Sequence, residues 1–84
     1  MSHQSLITDT ILQMAAERGV DKTICPSEVA RTLFPEDWRG HMEEVRQHAF
    51  DLQRHGKVSI TQKGELVDLE NIKGPIRIKI TTTP

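Results

Sequence analysis

Eighty-four residues make a single domain near the lower limit of what folds without staples, burying only roughly 60% of the surface its unfolded chain exposes. Hydrophobic residues are 36% of the chain and only Phe34, Trp38 and Phe50 are aromatic, so the core must be aliphatic, with little left over for a deep pocket. Eleven Lys/Arg against 12 Asp/Glu give a formal charge of −1, which excludes the general basic excess of a dedicated nucleic-acid binder and leaves only a local patch for phosphates.

The single Cys25 rules out an intramolecular disulfide and fits a reducing compartment. The opening Met-Ser-His-Gln-Ser-Leu-Ile has no basic stretch leading into an apolar one, and no run approaches a membrane span. A cytoplasmic protein without membrane contact is expected. From Ser5 to Arg18, the residues Ile7, Ile11, Met14, Ala15 and Arg18 recur at three- and four-residue steps, one face of an amphipathic helix. Gly19 is its expected stop. Thr23 and Ile24 are long enough only for a stub of strand.

Cys25-Pro26-Ser27-Glu28 reads as a helix start. Proline takes the first helical position, where its missing N–H costs nothing, and Glu28 stands where a capping-box acid belongs. Val29, Ala30 and Leu33 supply the buried face, and Phe34-Pro35 ends the helix. A third helix is expected from near Asp37 or Arg39 to His55, with Trp38, Met42, Val45, Ala49 and Leu52 as its core stripe and Gly56 as its stop.

After Gly56 the period changes from about 3.6 to two. Val58 and Ile60 alternate with polar neighbours in one half-buried strand, and Ile76, Ile78 and Ile80 do so in another, with Pro75 at its start. Lys63-Gly64 is a turn signal, and Glu65 to Gly74 reads as a long loop between the two strands. Thr81 to Pro84 reads as a frayed tail. The order predicts an α+β fold of winged-helix type over residues 1–84: three helices packed on a short antiparallel hairpin, the wing.

Several blocks of this sequence resemble one family: Cys25-Pro26-Ser27-Glu28-Val29-Ala30-Arg31, Asp37-Trp38-Arg39, Val45-Arg46 with Ala49, Leu52 and Gly56, Ile60-Thr61-Gln62-Lys63-Gly64, Val67-Asp68, and Gly74-Pro75-Ile76-Arg77-Ile78. It is a small bacterial family of unknown function, of winged-helix type. The resemblance covers nearly the whole chain and implies the fold, but no activity. Gly40 is a departure, standing where proline or a better helix former is expected in the first turn of the third helix.

Winged-helix proteins that read DNA lay the third helix in the major groove. Counting about 100° per residue, the side opposite the core stripe presents Arg39, Glu43, Gln47, Phe50 and Arg54, with Arg46 at its edge. Arg and Gln can make bidentate hydrogen bonds to purine edges. Glu43, Glu44 and Asp51 share the helix and repel phosphates, so an ordinary solvated face is the competing reading. In the hairpin region Lys57, Lys63, Lys73, Arg77 and Lys79 outnumber Glu65, Asp68 and Glu70. Such a wing can touch phosphates without reading sequence, although lysines on edge strands also serve simply to discourage aggregation.

The first functional expectation is therefore a non-enzymatic module that binds double-stranded DNA. Arg39, Arg46, Gln47 and Arg54 would lie on the third helix, and Lys63, Lys73 and Arg77 would hold phosphates from the wing. The alternative is a protein-interaction or dimerisation module with Phe50 as the contact, should that ring be exposed; otherwise it packs against a neighbouring helix.

His41, His48 and His55 recur every seventh residue, an aligned stripe whose members lie about 10.5 Å apart along a helix, too far to share one metal. Such a stripe can gain charge below about pH 6.5, or consist of boundary histidines without a role. Cys25 at a helix N-cap reads as a small buried or capping residue, and Ser27 has no histidine–carboxylate partner in view. No catalytic residue, cofactor or metal ligand is expected.

Overall fold

A computed structural model describes residues 3–62, 65–66 and 74–81. Helix α1 spans His3–Arg18, α2 Pro26–Leu33 and α3 Met42–Arg54; strands β1, β2 and β3 span Val58–Gln62, Glu65–Leu66 and Arg77–Ile80. The fold is α+β with a winged-helix layout, three helices against a small antiparallel sheet.

Helix α1 buries Ile7, Ile11 and Ala15, with Met14 packed partly against the core, and ends at Gly19, whose φ is +106°. The α2 start follows its sequence. Cys25 is the extended N-cap, its N–H donates to Glu28 Oε2 at 2.8 Å, and buried Pro26 opens the helix. Val29 and Ala30 are fully buried and Leu33 packs beside them.

The third helix does not begin as a regular α-helix. Trp38–His41 forms a 3-10 turn, and α-helical geometry starts only at Met42. Gly40 leaves room over the turn for the Asp37 carboxylate, whose Oδ1 lies 2.9 Å from where a Cβ would stand. The Asp37 carboxylate folds over the glycine and comes within 3.5 Å of His41 Nε2.

Helix α3 then buries Val45, Ala49, Phe50 and Leu52 against α1, α2 and β1. It ends in a Schellman arrangement at Gly56, φ +74°. Gly56 N–H donates to Gln53 O at 3.0 Å and Lys57 N–H to Leu52 O at 2.9 Å.

Phe50 corrects the expected outward face. It is only 8% exposed and belongs to the core, while Asp51 is exposed. A helix packed by three elements is covered over an arc of roughly 160° rather than 100°, counting about 100° per residue. Phe50 lies just inside that arc.

The sheet has the order β2-β1-β3, all antiparallel, with Val58 opposite Ile80, Ile60 opposite Ile78, and Gln62 opposite Glu65. Glu65–Leu66 is thus strand rather than loop, too short for alternation to reveal. The expected Lys63-Gly64 turn, and the rest of the expected loop up to Lys73, lie outside the described residues. The stub at Ile24 forms a single bridge: Ile24 and Ile78 exchange backbone bonds of 2.8 and 2.7 Å.

Ile78 therefore spends its own N–H and C=O on Ile24, so the N–H of Ile60 opposite it points away from β3. Gln53 Oε1 from α3 accepts that N–H. At the other end, Thr81 is tied down, donating from its backbone to Lys57 O and from its hydroxyl to Gly56 O. The expected tail can begin no earlier than residue 82, and residues 82–84 lie outside the described ones.

Nine isoleucines and valines with no more than 1% exposure dominate the core: Ile7, Ile11, Ile24, Ile60, Ile76, Ile78, Val29, Val45 and Val58. Burying each stabilises by about 1.5–3 kcal/mol relative to exposure, several times the worth of an exposed ion pair. The aliphatic core holds the fold.

Candidate nucleic-acid interface

Packing α3 on three elements leaves one narrow strip in solvent. Glu43, Gln47, Asp51 and Arg54 follow one another at steps of four, four and three, and all are exposed. Arg39, also exposed, precedes the strip by four residues in the 3-10 turn. The strip's pairs are internal to the helix: Gln47 Nε2 donates to Glu43 Oε1 at 3.0 Å and Arg54 Nη1 to Asp51 Oδ1 at 2.9 Å. Exposed pairs at this spacing are worth about 0.3–0.5 kcal/mol, so a partner that offers better acceptors can displace them. Glu43 and Glu44 in the first turn suit the helix dipole but oppose an approaching phosphate.

The other expected contact residues part company with this strip. Arg46 is half-buried, donates to Gly74 O at 3.2 Å and lies 5.8 Å from the Phe50 ring centre. It joins α3 to the approach of β3, where Gly74 has φ +84°. Arg77, at the start of β3, donates from Nε to Thr23 Oγ1 at 2.9 Å. Lys63 and Lys73 lie outside the described residues. Arg39, Gln47 and Arg54 are thus the expected residues that face solvent together along the third helix.

A cluster that sequence reading missed lies at the α2–α3 corner. The guanidinium carbons of Arg31, from the last turn of α2, and of Arg39 lie 4.3 and 4.6 Å from the Trp38 ring centre. Trp38 was expected in the core stripe and does pack partly against the core. Arg31 carries no periodic signal, because its partner sits across a turn; the arginines around a lone tryptophan were the available clue.

The histidine stripe does not survive as a unit. His41 lies in the 3-10 turn, stacked on Phe34 at 3.7 Å, with Nδ1 2.6 Å from Glu44 Oε1. His48 Nδ1 is 3.1 Å from Thr8 Oγ1 of α1, and His55 Nδ1 is 2.8 Å from Asp51 O. A seven-residue repeat aligns side chains only along a continuous α-helix, and His41 precedes it. Among the described residues no group of three His, Cys, Asp or Glu could hold a metal ion. Cys25 Sγ is 3.0 Å from Ser27 Oγ, a local contact in the α2 cap.

Among the described residues no helix is long and apolar enough to cross a membrane. No curated protein matches the chain in sequence. A family model does match it, over residues 4–81, and on that match the chain belongs to the family described as "Protein of unknown function (DUF3253)".

Proposed function

We propose that this domain is a non-enzymatic, cytoplasmic bacterial module that binds double-stranded DNA through the exposed strip of α3. The observation that supports this reading is the uncovered helix side in a winged-helix layout, bearing Arg39, Gln47 and Arg54. In such a layout the third helix enters the major groove, where Arg and Gln suit guanine and adenine edges. Arg46 and Arg77 serve instead as positioning residues, holding the approach of β3 to α3 and the start of β3 to the Thr23 segment. The formal charge of −1 keeps the long-range attraction weak, so binding rests on local contacts. The competing protein-contact reading loses its named residue, because Phe50 is buried in the domain.

The test is binding of labelled duplexes across salt. For about four phosphate contacts, affinity should fall about a hundredfold between 50 and 200 mM salt. Gln47→Ala should blur preference among selected sites by about 1–3 kcal/mol at one base pair. Arg54→Ala should weaken all duplexes. Absence of any duplex binding at 50 mM salt ends this reading.

A further inference from the structure

We infer that Arg31, Trp38 and Arg39 form a fork that grips the phosphate backbone of duplex DNA beside α3, a contact distinct from the Gln47 and Arg54 strip. The inference rests on the DNA reading above and gives it a second footing. Six arginines are described, and four are committed within the domain. Arg18 pairs with Glu28, Arg54 with Asp51, Arg46 with Gly74 O, and Arg77 with Thr23. Arg31 and Arg39 differ: each is exposed and lies on the indole of Trp38, and among the described residues neither has a carboxylate within ion-pair distance.

Trp38 is half-buried against the core, so the fold fixes the platform on which both cations rest. A guanidinium held on an aromatic face keeps its N–H edge free for an oxyanion, with less rotamer freedom left to lose on binding. The indole contact places both charges within about one Debye length of each other, about 10 Å at 0.1 M salt. A polyanion with closely spaced charges suits that pair better than a single carboxylate. The place in the fold agrees, since in helix-turn-helix docking the helix before the recognition helix crosses the phosphate backbone. The local acids do not cancel it fully: Asp37 turns back over Gly40 towards His41, leaving exposed Glu36 and Glu43 as the opposing charges.

The experiment measures affinity for a labelled random 20-base-pair duplex between 50 and 200 mM salt, for the natural chain, Arg31→Gln, Arg39→Gln and the double variant. Removing one arginine–phosphate pairing should lower the slope of log affinity against log salt by about 0.9, and the double variant should lower it by about 1.8, across all duplexes alike. All variants should remain folded at the assay temperature, because each exposed cation–π contact is worth only about 0.5–1 kcal/mol. Emission from Trp38, the sole tryptophan, should respond to duplex in the natural chain and respond less in the double variant. An unchanged slope in a double variant that still binds overturns the fork and leaves the α3 reading standing. No duplex binding by the natural chain overturns both. Binding to poly-glutamate that needs Arg31 and Arg39, without duplex binding, overturns the fork as a DNA contact and identifies an acidic protein partner.

Discussion

Glu28 ties three segments of the chain together through one carboxylate. It accepts the Cys25 N–H at 2.8 Å and pairs with Arg18 at the end of α1, while Arg18 also donates to Thr23 O at 3.0 Å. Partial burial pushes the Glu28 carboxyl up, but the Cys25 N–H and the Arg18 guanidinium together outweigh it and hold the group below its ordinary value. A depressed folded-state pKa means that the folded protein favours the ionised form. The stabilisation is complete above the unfolded value, about 4.3 for Glu, and is lost as pH falls through the lower folded value. Glu28→Gln should therefore lower the melting temperature at pH 7, and the gap to the natural chain should close below about pH 4. A gap that stays constant down to pH 3 would show that the charge is not the source. The cap itself was legible because it is local: an acid three residues after an N-cap has one obvious donor to satisfy. Its second partner was not, since Arg18 looked like part of the α1 face and meets Glu28 ten residues away only once α1 and α2 pack.

Helix α3 shows what a periodic pattern can and cannot convey. Its end was readable, because a glycine after the last apolar step supplies the left-handed residue a Schellman stop needs, and Gly56 does so. Its outward side was readable only in part. The stripe of Val45, Ala49 and Leu52 gave the direction of burial but not its width, and width decided the fate of Phe50. Nor could periodicity show what Gln53 does, as its role depends on the sheet beyond Gly56. Gln53 Oε1 accepts the Ile60 N–H, so Gln53→Ala should leave that N–H unsatisfied at the helix–sheet junction. Such a loss costs about 1–3 kcal/mol. Denaturant unfolding should report that decrease, and amide exchange at Ile60 should accelerate more than at its neighbours. Unaltered exchange at Ile60 would mean that the N–H finds another acceptor and that Gln53 is only a surface residue.

Across the whole molecule, the change of period at Gly56 divided the chain correctly into helices and sheet, because alternating isoleucines and valines can bury only one face of a strand. Two features lay beyond it. A two-residue β2 has no period to detect, and the Ile24–Ile78 bridge joins positions more than fifty residues apart. That bridge makes Ile78 the point where the early and late parts of the chain meet. Its backbone pairs with Ile24, its side chain is fully buried, and Ile60 faces it from β1. Deleting such a side chain loses both transfer energy and packing, about 2–5 kcal/mol for Ile→Ala. Net stability for a chain of 84 residues is about 4–13 kcal/mol, so Ile78→Ala should remove a large share of it. Ile78→Val, losing one methylene, should cost about 0.5–1.5 kcal/mol and remain folded. Substitution at exposed Arg54 should stay within about 0.5 kcal/mol. Urea unfolding of the three variants reads this ordering directly. A small loss for Ile78→Ala, comparable to that for Arg54, would mean that the sheet is dispensable and that the helices alone carry the fold.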